Sequence, residues 1–396
     1  MMKNLISLLL LFCVLGLAIE PALAGDFLDA DRFAVRGFGT LGISCFSSDS
    51  YDYLRYESPS GPGESRRCDT RLDSLLGLQL DAGLTERLQG TLQATSYHRA
   101  DDTFTPELTL ANLRIELDGN NTFRIGRIQN PILLVSDYRN VMYSQPWARP
   151  PVDLYNLVEV FSYDGIEMSH RLELNENTLT LQGGLARSNF DASRSKDATD
   201  PIKVKVAYLN ILSETGDWLF KGSLMGGNIY YTNPDIEGAL AYLDSLGASD
   251  LASSLSMKDK HLLLTGLGTR YETNQWLVQG EYLYRTIDSF YRDQHGVYLM
   301  AGRHFGDWMP YAIISKRWSK SQGKENQAAD PTQYSIASAL VDATDFDSRS
   351  WAAGLSYKLN MQAVLKFQMD FIKPDASSGR PTDTEHLTTL NLDFVF

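Results

Sequence analysis

Leu390-Asn391-Leu392-Asp393-Phe394-Val395-Phe396 has a period of two: Leu390, Leu392, Phe394 and Phe396 share one face, Asn391 and Asp393 the other. A helix would bring together residues three and four apart, so this spacing belongs to a β-strand with one apolar and one polar face. The preceding segment repeats it, with Leu365, Phe367, Met369 and Phe371 alternating with Lys366, Gln368 and Asp370. Far upstream, Leu72, Leu76, Leu78 and Leu80 oppose Arg71, Asp73, Gln79 and Asp81, and Leu113, Ile115 and Leu117 oppose Asn112, Arg114 and Glu116. Nothing after Gly25 approaches the 18 or so consecutive apolar residues of a spanning helix.

The connections between these runs alternate as well. Tight turns are expected near Leu84 to Glu86, Asp118 to Asn121, Asn175 to Asn177, Glu214 to Asp217, Glu272 to Asn274, Gly306 to Asp307 and Asn360, all rich in turn-forming residues. Longer polar segments lie between them, near 47 to 66, 99 to 106, 129 to 160, 191 to 200, 232 to 258, 289 to 294, 321 to 348 and 374 to 384. Seven turns and eight loops join sixteen strands. Amphipathic strands in that rhythm describe a closed, antiparallel transmembrane β-barrel with short turns at one end and long loops at the other. Closure follows from the solvent, because an unpaired strand edge in hydrocarbon leaves backbone amides without partners. The mean hydropathy of −0.24 agrees, since only every second strand residue would face lipid. Trp218, Tyr230, Tyr231, Trp276, Tyr284, Trp308, Trp318 and Trp351 fall at strand ends, where a barrel places its aromatic girdles.

Residues 1 to 24 carry Lys3, an apolar stretch from Leu5 to Ile19, and Ala22-Leu23-Ala24 before Gly25, the pattern of a signal peptide cleaved after Ala24. Residues 25 to 396 are then a single barrel domain. Export to an oxidising compartment makes Cys45 and Cys68 the natural disulfide, two free thiols being the alternative. The 36 basic and 49 acidic residues give a net charge of −13, which argues against nucleic acid as a partner.

Over residues 25 to 396 the chain resembles the general-diffusion porins of Gram-negative outer membranes, of non-enteric type. Its final strand, with Phe394 and Phe396, is similar to the terminal signature that the barrel-assembly machinery reads. The resemblance also implies that the connection after the fifth strand, residues 129 to 160, folds inside the barrel and narrows it. That segment lacks the Pro-Glu-Phe-Gly-Gly signature of enteric porins, so the shape of the constriction does not carry over. The resemblance further implies a homotrimer in outer-membrane lipid and lipopolysaccharide, passing ions and small hydrophilic solutes without a cofactor.

The 129 to 160 segment has its own composition to recommend it. Ile132, Leu133, Leu134, Val135, Tyr138, Tyr143, Trp147, Leu154 and Tyr155 are suited to packing on a wall, and Pro131, Pro146, Pro150 and Pro151 stiffen the path. A pore eyelet needs opposed charges to order water and repel apolar solutes. The loop offers Asp137, Arg139, Arg149, Asp153 and Glu159, and the facing wall offers Arg36, Arg71, Arg87, Arg114 and Arg124. Lys203, Lys205, Lys221, Lys358 and Lys366 are also expected to point inward. Residues Ile236 to Ser256 are expected to form a short helical piece packed over the rim.

Other chemistry finds little support. Gly37-Phe38-Gly39-Thr40-Leu41-Gly42 fits a dinucleotide-binding pattern, but a strand and loop follow where that site requires a helix. The glycines fit better as contacts with a neighbouring wall or subunit. Six scattered histidines provide no metal-ligand spacing, and no nucleophile elbow appears. The competing readings are a solute-specific channel, an adhesin or receptor acting through its loops, and last an outer-membrane hydrolase.

Overall fold

The computed structural model describes residues 32–53, 61–99, 102–158, 160–191, 200–375 and 382–396; the leader at 1–24 lies outside them. Among the described residues sixteen long strands form one antiparallel sheet that closes on itself. They are β1 (Phe33–Phe46), β2 (Leu75–Gly83), β3 (Leu88–Tyr97), β4 (Glu107–Glu116), β5 (Asn121–Gln129), β6 (Ser162–Leu174), β7 (Asn177–Asp191) and β8 (Pro201–Thr215). β9 (Trp218–Tyr231), β10 (Lys260–Glu272), β11 (Trp276–Ile287), β12 (Asp293–Arg303), β13 (Trp308–Lys320), β14 (Ser348–Lys358), β15 (Ala363–Pro374) and β16 (Glu385–Val395) complete the wall. Each pairs with its sequence neighbour, and β1 pairs with β16 from Phe38 opposite Val395 to Phe46 opposite Leu387. The two-residue strip Cys68–Asp69 extends the sheet beside β1, where Cys45 and Cys68 lie opposite each other and are joined as a disulfide.

Most of the outer surface is apolar. Leu41, Leu92, Leu113, Leu185, Leu209, Leu224, Leu267, Leu299 and Ile314 are all exposed there, the arrangement a barrel presents to lipid. Trp218 and Tyr271, and Trp308 and Tyr357, pack at the turn-side ends of their strands. His295, Trp318, Tyr282 and Tyr284 cluster toward the loop side. Tyr231, expected in a girdle, instead packs against the internal cluster.

At the loop side, the β9–β10 connection forms α-helices at Pro234–Ser245 and Ser249–Leu255, and the β13–β14 connection forms a third at Pro331–Asp342. The first begins at an Asn233 cap and the third at an Asp330 cap, each followed by proline at the first helical position. Leu240, Leu243, Leu251, Leu255, Ala337 and Val341 bury their side chains. The third helix is where 321 to 348 was expected to be plain loop; the Asp330-Pro331 start signal is its trace in the sequence.

The Gly37 and Gly39 positions lie on the outer face of the β1–β16 seam. A Cβ on Gly37 would sit 2.1 Å from the Phe396 ring, and one on Gly39 would sit 2.5 Å from the Phe394 ring. The glycine pattern is thus a slot for the terminal aromatic rings, not a cradle for phosphate. Gly37→Leu is expected to lower the yield of closed barrel, read as loss of the fast-migrating, heat-modifiable form on a gel. Gly222→Ala, where a Cβ meets nothing nearer than Leu267 at 4.0 Å, should fold normally. Equal yields from both would remove the seam argument.

Candidate functional site inside the barrel

The β5–β6 connection, residues 130–161, enters the barrel. Its neck is closed by the Asn130 amide donating to the Phe161 carbonyl at 2.8 Å and by Asn130 Nδ2 donating to the Val160 carbonyl at 2.9 Å. Beyond the neck come two 3-10 turns, Ser136–Tyr138 and Met142–Ser144, then the short helix Val152–Tyr155. Apolar side chains fix its inner surface: Ile132, Leu133, Trp147, Leu154, Tyr155 and Leu157 are buried with Met225, Leu283, Met300, Tyr311 and Ile313 of the wall. Trp147 meets the rings of Tyr155 and Tyr298 edge-on at 6.0 and 5.8 Å. On β12, Gly296 makes room for the helix, since a Cβ there would come within 2.9 Å of the Leu154 Cα.

Buried polar anchors then set the loop's depth and register. On β9, Lys221 Nζ donates to the Leu133 carbonyl at 2.6 Å. On β11, the Glu281 carboxylate accepts from the Leu134 amide (2.7 Å) and from the hydroxyls of Tyr155 and Tyr298 (both 2.9 Å). Arg285 donates to the Leu157 carbonyl at 3.2 Å. On β15, Lys366 Nζ donates to the Met142 carbonyl at 2.5 Å and pairs with Asp393 of β16 at 2.8 Å, both side chains 0% exposed. Thr40 of β1 donates to the same Asp393 at 2.6 Å. The Tyr143 hydroxyl donates to the Met361 carbonyl, in the turn between β14 and β15, at 2.8 Å. The loop therefore reaches the turn-side end of the barrel.

Arg149 is the densest anchor. It is 1% exposed and bonds both carboxylate oxygens of Asp73, the Ser44 hydroxyl (2.8 Å) and the Thr389 hydroxyl (3.0 Å), with Asp370 at 3.5 Å. Its own carbonyl and the neighbouring Ala148 backbone bond to Gln368 and Asn391. Asp153 is 3% exposed and accepts from Ser315 (2.6 Å) and Ser348 (2.5 Å).

These positions correct the expected eyelet. Arg149 and Asp153 fasten the loop to the wall, because each faces polar wall residues and neither faces water. Arg139 lies over the Phe161 ring at 4.0 Å and donates to the Val158 carbonyl. Glu159 and the Asp137 side chain lie outside the described residues. On the wall, Arg36, Arg114 and Arg124 project inward from β1, β4 and β5, paired with Asp81 (2.6 Å), Glu116 (3.6 Å) and Glu167 (3.2 Å). Arg114 and Arg124 are direct cross-strand neighbours.

Arg87 sits in the turn before β3, and Arg71 lies among the outer loops, tying Asp69 (2.9 Å) to Asp102. Against the burial that opposes its charge, the Arg71 hydrogen bonds hold the Asp69 carboxyl below its ordinary range. Lys221, Lys358 and Lys366 lie on the inward parity, whereas Lys203 and Lys205 point outward, because Ile202, Val204, Val206 and Tyr208 take the inner face of β8. The sequence reading missed Glu281, Arg285 and Tyr298. Their only signal was polar character on the inward parity, and their partner in the loop is defined only by the fold. Among the described residues there is no group of His, Cys, Asp and Glu arranged to hold a metal.

The charged loop anchors are the first kind of contact and the uncovered wall is the second. The loop packs on the inner faces of β9 to β16 and bonds Ser44 of β1, while Arg36, Gln89 and Arg114 on the other side are exposed and Glu116 is half-buried. The barrel is similar to the outer-membrane channel DcaP of Acinetobacter baumannii, with TM-score 0.58 and 13% identity over 94% of this chain and 100% of that one. It is also similar to the anion-selective porin from Comamonas acidovorans (0.55, 12%, 92% and 100%). A third likeness is to the trimer form of OmpT, an outer membrane protein of Vibrio cholerae (0.51, 11%, 92% and 100%). No protein-family model and no curated protein sequence matches the chain. At these identities the likeness is one of fold: this is a sixteen-stranded antiparallel barrel of the porin type, carrying an internal loop after its fifth strand.

Removing one partner of a fully buried pair costs roughly 3–5 kcal/mol, because the other charge stays behind. Arg149→Met, which strands Asp73, is therefore expected to lower the unfolding midpoint in detergent and to shift the emission of Trp147 toward that of a solvated indole. Lys366→Met with Asp393→Leu should cost less than Lys366→Met alone. An unchanged midpoint and unchanged emission in Arg149→Met would show that the loop docks without its anchors.

Proposed function

We propose that this protein is an outer-membrane channel for passive diffusion of ions and small hydrophilic solutes, sorted by size and charge, with no catalytic turnover. The observation that carries the reading is the two-sided interior. An anchored loop lies against one half of the wall, and the other half keeps water-accessible polar and charged side chains. Opposed charges beside a fixed constriction favour small polar solutes over apolar ones. The apolar outer face and the short turns opposite long loops support an outer-membrane orientation with the loops outside the cell and both ends of the barrel's chain in the periplasm.

The leader, cleaved after Ala24, supplies the export that this reading needs, leaving 25–396 as the mature domain. Phe394 and Phe396 then serve as the barrel-assembly signal. A homotrimer is the proposed assembly, supported by the trimer form of the Vibrio cholerae protein. The pore-lining charges that remain after the anchors are set aside are Arg36, Arg114 and Arg124, with Arg139 on the loop.

In a planar bilayer the refolded mature protein is expected to give ohmic openings that close in three steps. Arg114→Glu should move the reversal potential in a salt gradient toward cation preference without loss of folded barrel. A silent bilayer with a demonstrably folded barrel would end the channel reading. Saturable block of the current by one solute class would replace it with a solute-specific channel.

A further inference from the structure

Most of the wall groups that hold the internal loop are strand residues. Lys221, Glu281, Arg285 and Lys366 take their places from the sheet ladder, whereas Asp73, the partner of Arg149, lies in the connection before β2. The contacts around Asp73 stand in for a ladder, because the segment from Cys68 to Ser74 is fastened to β1 at both ends. At one end the Cys45–Cys68 disulfide lies beside the pairing of Ser44 with Asp69, and the Phe46 amide donates to the Arg67 carbonyl at 3.0 Å. At the other end the Gly42 amide donates to Ser74 Oγ at 3.1 Å, and Ser74 Oγ donates to the Thr70 carbonyl at 2.5 Å. Between them the Arg71 amide donates to Asp69 Oδ1 at 2.7 Å. Asp73 is thereby presented to Ser44 Oγ, from which it accepts at 2.7 Å, and to Nε and Nη2 of Arg149.

The same outer connection also covers Arg149. Tyr53 sets its ring centroid 5.2 Å from the guanidinium carbon. The Tyr53 amide donates to the Pro62 carbonyl and the Gly61 amide to the Tyr53 carbonyl, both at 2.8 Å. Phe46 meets the Tyr53 ring edge-on at 5.6 Å, and these two with Leu72 and Leu387 form a buried apolar cluster separate from the main one. Val152, the first residue of the short helix inside the barrel, packs against that cluster. The cover matters to the ion pair, since a solvated pair contributes little and a pair kept from water attracts far more strongly.

We infer that Cys45–Cys68 and Tyr53 form a clasp that positions the internal loop. The disulfide keeps Asp73 in reach of Arg149, and the tyrosine keeps water from the pair. A crosslink acts by removing the looser arrangements of the chain between its ends, here a separation of 23 residues that contains Tyr53. Cys68 is exposed, so a water-soluble dithiol can open the clasp in the folded barrel. The clasp stands on the docking of the loop alone; only its effect on current rests on the channel reading above.

The test is hydrogen exchange, read by mass spectrometry on the refolded mature barrel before and after dithiothreitol. Two electrons and two protons from the dithiol turn the cystine into two thiols, the reagent leaves as its cyclic disulfide, and a pair of maleimide adducts verifies the reduction. Peptides covering 147 to 157 are expected to exchange about tenfold faster after reduction, as for a modest local opening, while β9 to β12 keep their protection. Reoxidation should restore the slow rate. Tyr53→Leu, with the disulfide intact, should give the same loop-confined change, and Tyr53→Phe should not, since it keeps a ring over Arg149. Gel mobility should be that of the folded barrel throughout. Unchanged exchange at 147 to 157 after complete reduction would overturn the proposal. Protection lost evenly along β1, β2 and β16 would overturn it too, making the disulfide a general fastening of the seam. A Tyr53→Leu barrel that exchanges like the wild type would remove the tyrosine's part. In a bilayer, reduction should add partial closures to each opening. Loop-confined exchange in a barrel that conducts no current would keep the clasp and end the channel reading, whereas ohmic current with exchange indifferent to reduction would do the reverse.

Discussion

The pairing of β1 with β16 is the contact on which the rest of the structure depends. A sheet that ended at either strand would expose a row of amides and carbonyls to hydrocarbon, which offers them no partner. Nine consecutive residue pairs close that gap. The seam has work on both faces. Outside, Gly37 and Gly39 are bare so that Phe396 and Phe394 lie flat across them. Inside, Thr40 and Ser44 of β1 with Thr389, Asn391 and Asp393 of β16 form the polar surface to which Lys366, Ala148 and Arg149 bind. Closing the barrel and docking the loop are one construction.

The anchoring residues explain how a loop of some thirty residues holds one position in a wide cylinder. Apolar packing of Trp147, Leu154 and Tyr155 supplies the drive to dock, but it is not directional. The buried charges are costly to desolvate and give little net stability once paired, yet they penalise every other register heavily, because any shift of the loop takes Arg149 from Asp73 and the Leu134 amide and Tyr155 hydroxyl from Glu281. In this barrel the ionic groups fix where the loop sits, and the arginines on the wall opposite it are left exposed.

Much of this was legible in the sequence. Period-two runs, turn chemistry and the rhythm of short and long connections were enough to count the strands and to single out 129 to 160. The errors have one cause: charge was equated with contact with water. Arg149 and Asp153 looked like an eyelet because they are charged residues on a loop, and they became anchors because the facing wall offers Asp73, Ser315 and Ser348. Lys203 and Lys205 looked like lumen residues for the same reason. The inner face of β8 is apolar there, covered by the internal cluster, and its lysines turn outward. Strand parity is local and readable, whereas the medium on each side of a strand is set by segments far away in the chain.

In the proposed channel, water runs past the anchored loop along β2 to β5. This path is tested most directly by placing a single cysteine at Arg114, on that wall, or at Ala207, on the outer face, and adding a charged thiol reagent during a bilayer recording. Stepwise reduction of the current in the Arg114→Cys channel, with no change in Ala207→Cys, is the predicted result. Current that is indifferent to modification at both positions would contradict the account.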